Sequence, residues 1–189
     1  IVPDRAVGTF YVRAADGMTL ADLKKRVKNC FEAGALASGC EVEIQWALGD
    51  YLEIKDCWPI AERYKTNAES LGRSFFPLEK IPTTGAGSTD MGNVSHRVPS
   101  IHPMISCAPP HVVIHNPEFT KYAGSETGDA AVLDGAKALA MTAIDVMTDD
   151  QLMSDARNQF AETADLSAKA VAQAWHGDGD VTLGGCGCC

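Results

Sequence analysis

The residues most able to do chemistry are the run Gly85-Ala86-Gly87-Ser88-Thr89-Asp90-Met91-Gly92-Asn93 and, further along, Ile114-His115-Asn116-Pro117. Glycines let a backbone approach a bound anion closely, and N–H groups at a helix start can receive a carboxylate. The same run also reads as a plain turn in which Ser88 or Asp90 caps the following helix. His115 is a candidate metal ligand, although a lone histidine is as readily structural or exposed. His96, His102 and His111 lie nearby, without the spacing of a zinc motif such as H-E-x-x-H. Arg13 closes a predicted strand. It reads either as a solvated end or as a planar fork that clamps a substrate carboxylate. The terminal Gly184-Gly185-Cys186-Gly187-Cys188-Cys189 offers clustered thiols for a soft metal or a lipid, against the plainer reading of a flexible tail.

Composition narrows the class. The chain has 189 residues, 46% of them hydrophobic, enough for one ordinary domain or pieces of two. Its net charge of -9 argues against nucleic acid as a partner. The dense basic run Lys24-Lys25-Arg26 with Lys28 is expected to be a solvated helix face. Seven cysteines, with Cys30, Cys40, Cys57 and Cys107 scattered, read as reduced thiols and a cytoplasmic setting. No apolar run reaches membrane-span length and no signal peptide is visible. Because Ile1 opens the chain, the expectation is a fragment or a processed product.

These residues need elements to hold them. Ala6 to Ala14 alternates as a strand, with Phe10 and Val12 on one face and Tyr11 and Arg13 on the other. Thr19, with Asp22 three residues on, is expected to cap a helix whose apolar stripe is Leu20, Leu23, Val27, Cys30 and Phe31 and whose end is Ser38-Gly39. Val42, Ile44, Trp46 and Leu48 then alternate as a second strand. The resulting β-α-β unit, residues 1–50, is too small to close a layer alone. Beyond it the pattern predicts a helix from about Pro59 to Leu71 stopped by Gly72, a loop from Pro77 to Gly87, a short helix from Asp90 to Val98 and a short strand from Ile101 to Cys107. A loop or edge strand over His111 to Pro117 follows. A long amphipathic helix from Thr127 to Met147, a second from Asp149-Asp150 towards Phe160 and a third from Ser167 to Trp175 complete the ordered part, ahead of a tail over 177–189.

Four stretches in order carry a family resemblance. They are Ile1-Val2-Pro3-Asp4-Arg5-Ala6 with Phe10-Tyr11-Val12-Arg13-Ala14, then Gly87 through Ser95, then Val98-Pro99-Ser100-Ile101-His102-Pro103, and Ile114-His115-Asn116-Pro117-Glu118-Phe119. Together they resemble the metallopeptidase family of aminoacylases, acetylornithine deacetylase, carboxypeptidase G and aminobenzoyl-glutamate hydrolase, on its dipeptidase-like side. The resemblance runs from Ile1 to about Met147 and implies an α/β fold. Residues 1–50 would be the second half of a ferredoxin-like lid and dimerisation domain. Residues 51–176 would be the C-terminal part of a two-metal catalytic domain.

The resemblance also implies roles. His115 matches the family's last metal ligand, the Gly87-Ser88-Thr89 turn matches the loop that receives the substrate carboxylate, and Arg13 matches the lid arginine that clamps it. A divalent cofactor, zinc or manganese, a dipeptide or N-acyl amino acid as substrate, and a homodimer formed through the lid are implied with them. The family's remaining metal ligands and its glutamate base have no counterpart among these 189 residues. The expectation is therefore a metallo-amidohydrolase fragment that is inactive alone. The alternative is a non-catalytic remnant that serves as a dimerisation or binding module.

Overall fold

A computed structural model describes residues 1–77 and 88–175. Seven helices form among them: α1 Gly17–Ser38, α2 Trp58–Ser70, α3 Met91–Ser95, α4 Phe119–Ala123, α5 Glu126–Thr148, α6 Asp150–Ala161 and α7 Ala164–Ala174. The expected loop lies outside the described residues except for Pro77, as do Gly85 to Gly87 and the cysteine tail.

Local chemistry sets the helix ends. Asp16, not Thr19, caps α1: its Oδ1 accepts the Thr19 N–H at 2.8 Å and its Oδ2 accepts the Thr19 hydroxyl at 2.8 Å. The aspartate offers two acceptors to a donor pair on one residue, which a threonine cap cannot match. At the other end Gly39 turns left-handed, with φ 67°, and the Cys40 N–H reaches back to Ala35. Glycine takes that conformation without a Cβ clash. Pro59 stands in the first turn of α2, and the chain leaves that helix through Gly72 at φ 86°.

The two expected strands of residues 1–50 do not form. Neither 6–14 nor 42–48 carries a ladder, because a strand exists only when another strand pairs with its backbone, and the two stretches do not pair with each other. They lie along α1 instead, with the Phe10 ring 5.0 Å from that of Phe31 and the Lys24 ammonium 4.5 Å from the Trp46 ring. The 101–107 strand is likewise absent. What pairing the described residues show is two isolated bridges, Gly49 with Trp175 and Asp56 with Ser100.

Packing falls into two small centres. Leu52 meets Ala170, Ala174 and Val171, where α1 packs on α7. Tyr64 and Ala68 of α2 meet Ala138 of α5, with Leu71 and Ile101 at the margin. Polar bonds fasten the α2–α5–α6 face. Asn67 donates to Thr142 at 3.1 Å and to Asp145 at 2.8 Å, while Arg63 pairs with Asp149 at 2.7 Å. The basic run is not wholly solvated, since Lys24 is buried and holds Asp50 at 2.8 Å. Burial of its alkyl stem is tolerated because its charge is matched. Elsewhere large apolar side chains stay exposed, among them Phe10, Tyr11, Val132, Leu133 and Met147.

Candidate functional site

The sequence motif around Thr89 becomes a docked turn. Thr89 accepts the Gly92 N–H and Asp90 the Asn93 N–H through their carbonyls, at 3.2 and 3.0 Å, which starts α3. α3 then seats on the backbone of residues 50–55. Asn93 accepts the Leu52 N–H at 3.2 Å and donates to the Asp50 carbonyl at 2.9 Å, and the Ser95 hydroxyl accepts the Lys55 N–H at 2.9 Å. Gly92 lies so close that a Cβ there would stand 1.8 Å from the Leu52 carbonyl oxygen. Ser88 is exposed at the head of this turn, with Thr89 half-buried beside it.

Behind the turn is a buried histidine. His96 is 6% exposed, and its Nε2 lies 3.4 Å from Glu53 Oε1. That is ion-pair reach, but neither ring nitrogen has a hydrogen-bond partner. The other Glu53 oxygen accepts the Gly17 N–H at 2.8 Å, so Glu53 links the start of α1 to the end of α3. Further along the same strand-like segment, burial pushes the Asp56 carboxyl above its ordinary value, opposed by His102. Burial also raises the Cys57 thiol, which makes it an unreactive packed cysteine.

The other candidates stand apart. His115 is exposed in the loop before α4, with φ 60°, the one non-glycine residue of positive φ among those described. That conformation costs a non-glycine residue about 1–2 kcal/mol, and histidine is among the types that adopt it most. Arg13 is exposed, its guanidinium 5.9 Å from the Tyr11 ring. No hydrogen bond or ion pair joins Arg13, His115 and the Ser88–Thr89 turn among the described residues. Gly87 lies outside them. No group of three or more histidine, cysteine, aspartate or glutamate side chains stands ready for a metal among the described residues. An open cavity of about 770 Å³ between α4, α5 and residues 106–109 is lined by Arg73, Cys107, Lys121, Tyr122 and Glu126, and includes none of the candidates.

Gly92, Asn93 and Ser95 stand in or just after the glycine-rich motif, but no local pattern assigns them a role. Their spacing put them on one short helix, while their partners lie about forty residues upstream, beyond the reach of any local pattern.

Comparison with known proteins supplies the remaining observation. Over 160 residues the chain is 37% identical to a Homo sapiens protein called Xaa-Arg dipeptidase and 36% identical to the Mus musculus protein of that name. The match covers 85% of this chain but only 36% and 37% of those proteins, so the chain spans little more than a third of their length. No family model matches it.

Proposed function

We propose that the chain, which belongs to the dipeptidase-like metallopeptidase family, is part of an enzyme hydrolysing an amide bond next to a free carboxylate. The single observation that carries this reading is the 37% identity over 160 residues to a dipeptidase. By the same likeness the substrate is a dipeptide, with arginine on the carboxylate side.

Three features, made of five residues, take roles in that reading. The Ser88–Thr89 turn, with Gly87, receives the carboxylate on backbone N–H groups. What supports it is the exposed Ser88 at the head of a firmly docked helix. Arg13 clamps the same carboxylate. Its guanidinium has no carboxylate partner among the described residues, so its fork of donors is available. His115 is a metal ligand, and its left-handed backbone is the kind of local strain that collects at functional sites.

The donors present do not amount to a metal centre. A catalytic zinc site takes about three protein ligands, and His115 is one. No step is therefore assigned to a metal held by these residues alone, and the 189-residue chain by itself is inactive in this account. Completing a zinc or manganese centre requires donors from outside it. A homodimer through residues 1–50 and a cytoplasmic setting belong to the same proposal. No described helix is long and apolar enough to cross a membrane.

A second reading, a non-catalytic dimerisation or binding module, draws on the exposed Phe10, Tyr11, Trp46 and Leu48 within the first fifty residues. One experiment separates the two. The 189-residue chain and the complete gene product are each incubated with an Xaa-Arg dipeptide and Zn²⁺ or Mn²⁺, and free arginine is measured. Release by the complete product alone is expected. Release by neither favours the binding module, and chelator-sensitive release by the 189-residue chain overturns its proposed inactivity.

A further inference from the structure

The bonds that seat α3 on residues 50–55 stand where a neighbouring strand would pair. Asn93 supplies two of them through one side chain, accepting from the Leu52 N–H and donating to the Asp50 carbonyl. Asp50 is itself anchored from two further directions, by its N–H to the Ala174 carbonyl at 2.9 Å and by its carboxylate to Lys24. The platform under Asn93 is thus tied to both α1 and α7.

The turn in front of Asn93 has little holding it besides. Ser88 takes part in no hydrogen bond among the described residues. The Thr89 hydroxyl has only long contacts, 3.3 Å to the Asp90 carboxylate and 3.3 Å from the Met91 N–H. The carbonyls of Thr89 and Asp90, by contrast, accept the Gly92 and Asn93 N–H groups directly. The position of the turn relative to the rest of the molecule therefore runs through α3, which is seated by two bonds of the Asn93 side chain and one of Ser95.

We propose that Asn93 is a positioning residue that holds the Ser88–Thr89 turn at a fixed distance from the Asp50–Lys55 backbone, so that the turn's N–H groups meet a substrate carboxylate already oriented. This rests on the reading of Ser88–Thr89 as the carboxylate receiver. A side-chain amide suits the task because it presents one acceptor and one donor in a rigid plane, matching the N–H and C=O of an extended backbone. Preorganised donors bind an anion with less ordering cost than mobile ones.

The test titrates the 189-residue chain with N-acetyl-L-arginine, a free carboxylate, and follows the Ser88 and Thr89 amides by NMR. The wild type is expected to show saturable shifts there. Asn93→Ala should bind about tenfold more weakly, and the milder Ser95→Ala, which removes one seating bond, should lie between them. Asn67→Ala is the control. It loses two side-chain bonds on the α2–α5 face, lowers global stability, and should leave carboxylate affinity unchanged. Equal affinity in wild type and both α3 variants would overturn the proposal while leaving the carboxylate reading intact. A parallel loss in Asn67→Ala would overturn it as an effect of stability. Absence of any shift at Ser88 and Thr89 in the wild type would sink the carboxylate reading, and the positioning role with it.

Discussion

Replacing Gly92 by alanine puts the seat of α3 under direct strain. The new Cβ would lie 1.8 Å from the Leu52 carbonyl oxygen and 2.7 Å from its carbon, and 3.2 Å from the Glu53 oxygen. All three are backbone atoms, so no side chain can swing aside. A carbon–oxygen contact relaxes only at about 3.3 Å, so α3 must retreat by about 1.5 Å. That retreat breaks the two Asn93 bonds and the Ser95 bond, at about 1 kcal/mol each. Alanine's better helix propensity returns up to about 1 kcal/mol. The net loss is about 2 kcal/mol, or a fall of about 4–8 °C in Tm for a chain this size. Gly34→Ala is the matched comparison, because it too is a helical glycine but its Cβ would meet nothing within 4 Å. It should stabilise by up to about 1 kcal/mol. Urea denaturation of both variants measures the difference, and hydrogen exchange at the Leu52 and Lys55 amides locates it. If Gly92→Ala matches Gly34→Ala in stability and keeps those amides protected, the docking geometry is wrong.

Three other perturbations test the fold. Lys24→Ala breaks the ion pair with Asp50, whose side chains are 10% and 16% exposed, and removes the contact with the Trp46 ring; it should cost about 3 kcal/mol in chemical denaturation. Partial recovery in the double variant Lys24→Ala, Asp50→Asn would assign that part of the cost to the ion pair, and no recovery would assign it to lost packing. His115→Gly should be more stable than His115→Ala by about 1 kcal/mol, since only glycine is at ease at φ 60°. Equal melting temperatures would remove the strain argument. Asp16 and Asp56 should pull stability in opposite directions with pH. Hydrogen bonds from Thr19 hold Asp16 below its ordinary 3.8. Its contribution is therefore complete above pH 3.8 and fades as pH falls through the folded value. Burial raises Asp56 above 3.8, so its ionisation erodes stability as pH rises through the window just above that value. Denaturation from pH 2 to 6 should show Asp16→Asn with a flatter acid limb and Asp56→Asn with less loss on the rising side.

Where the sequence was legible, the determinants were local. Gly39, Pro59 and Gly72 mark helix ends through backbone preferences that any fold must respect, and the α5 and α6 stretches repeat at helical spacing. The cap of α1 was off by three residues because Asp16 and Thr19 both suit the role and geometry alone decides between them. Strands at 6–14 and 42–48 were read from true alternation, yet alternation only makes a segment fit to pair. Pairing needs a partner, and these two stretches do not supply one another. Short α4 was missed because Pro117 marks a loop as readily as a helix start. The site divides the same way. His115 and the Ser88–Thr89 turn drew attention by residue type, whereas the seat beneath the turn depends on Leu52, Glu53 and Lys55, which no local pattern connects to Gly92, Asn93 and Ser95.

The central proposal is that this sequence is part of a metal-dependent amidohydrolase with His115 as a metal ligand. It is tested most directly by arginine release from an Xaa-Arg dipeptide, measured on the complete gene product as wild type and as His115→Ala, each with and without chelator. The account predicts release that chelator abolishes and that His115→Ala reduces to background. Release that persists in chelator, or that is unchanged in His115→Ala, would contradict it.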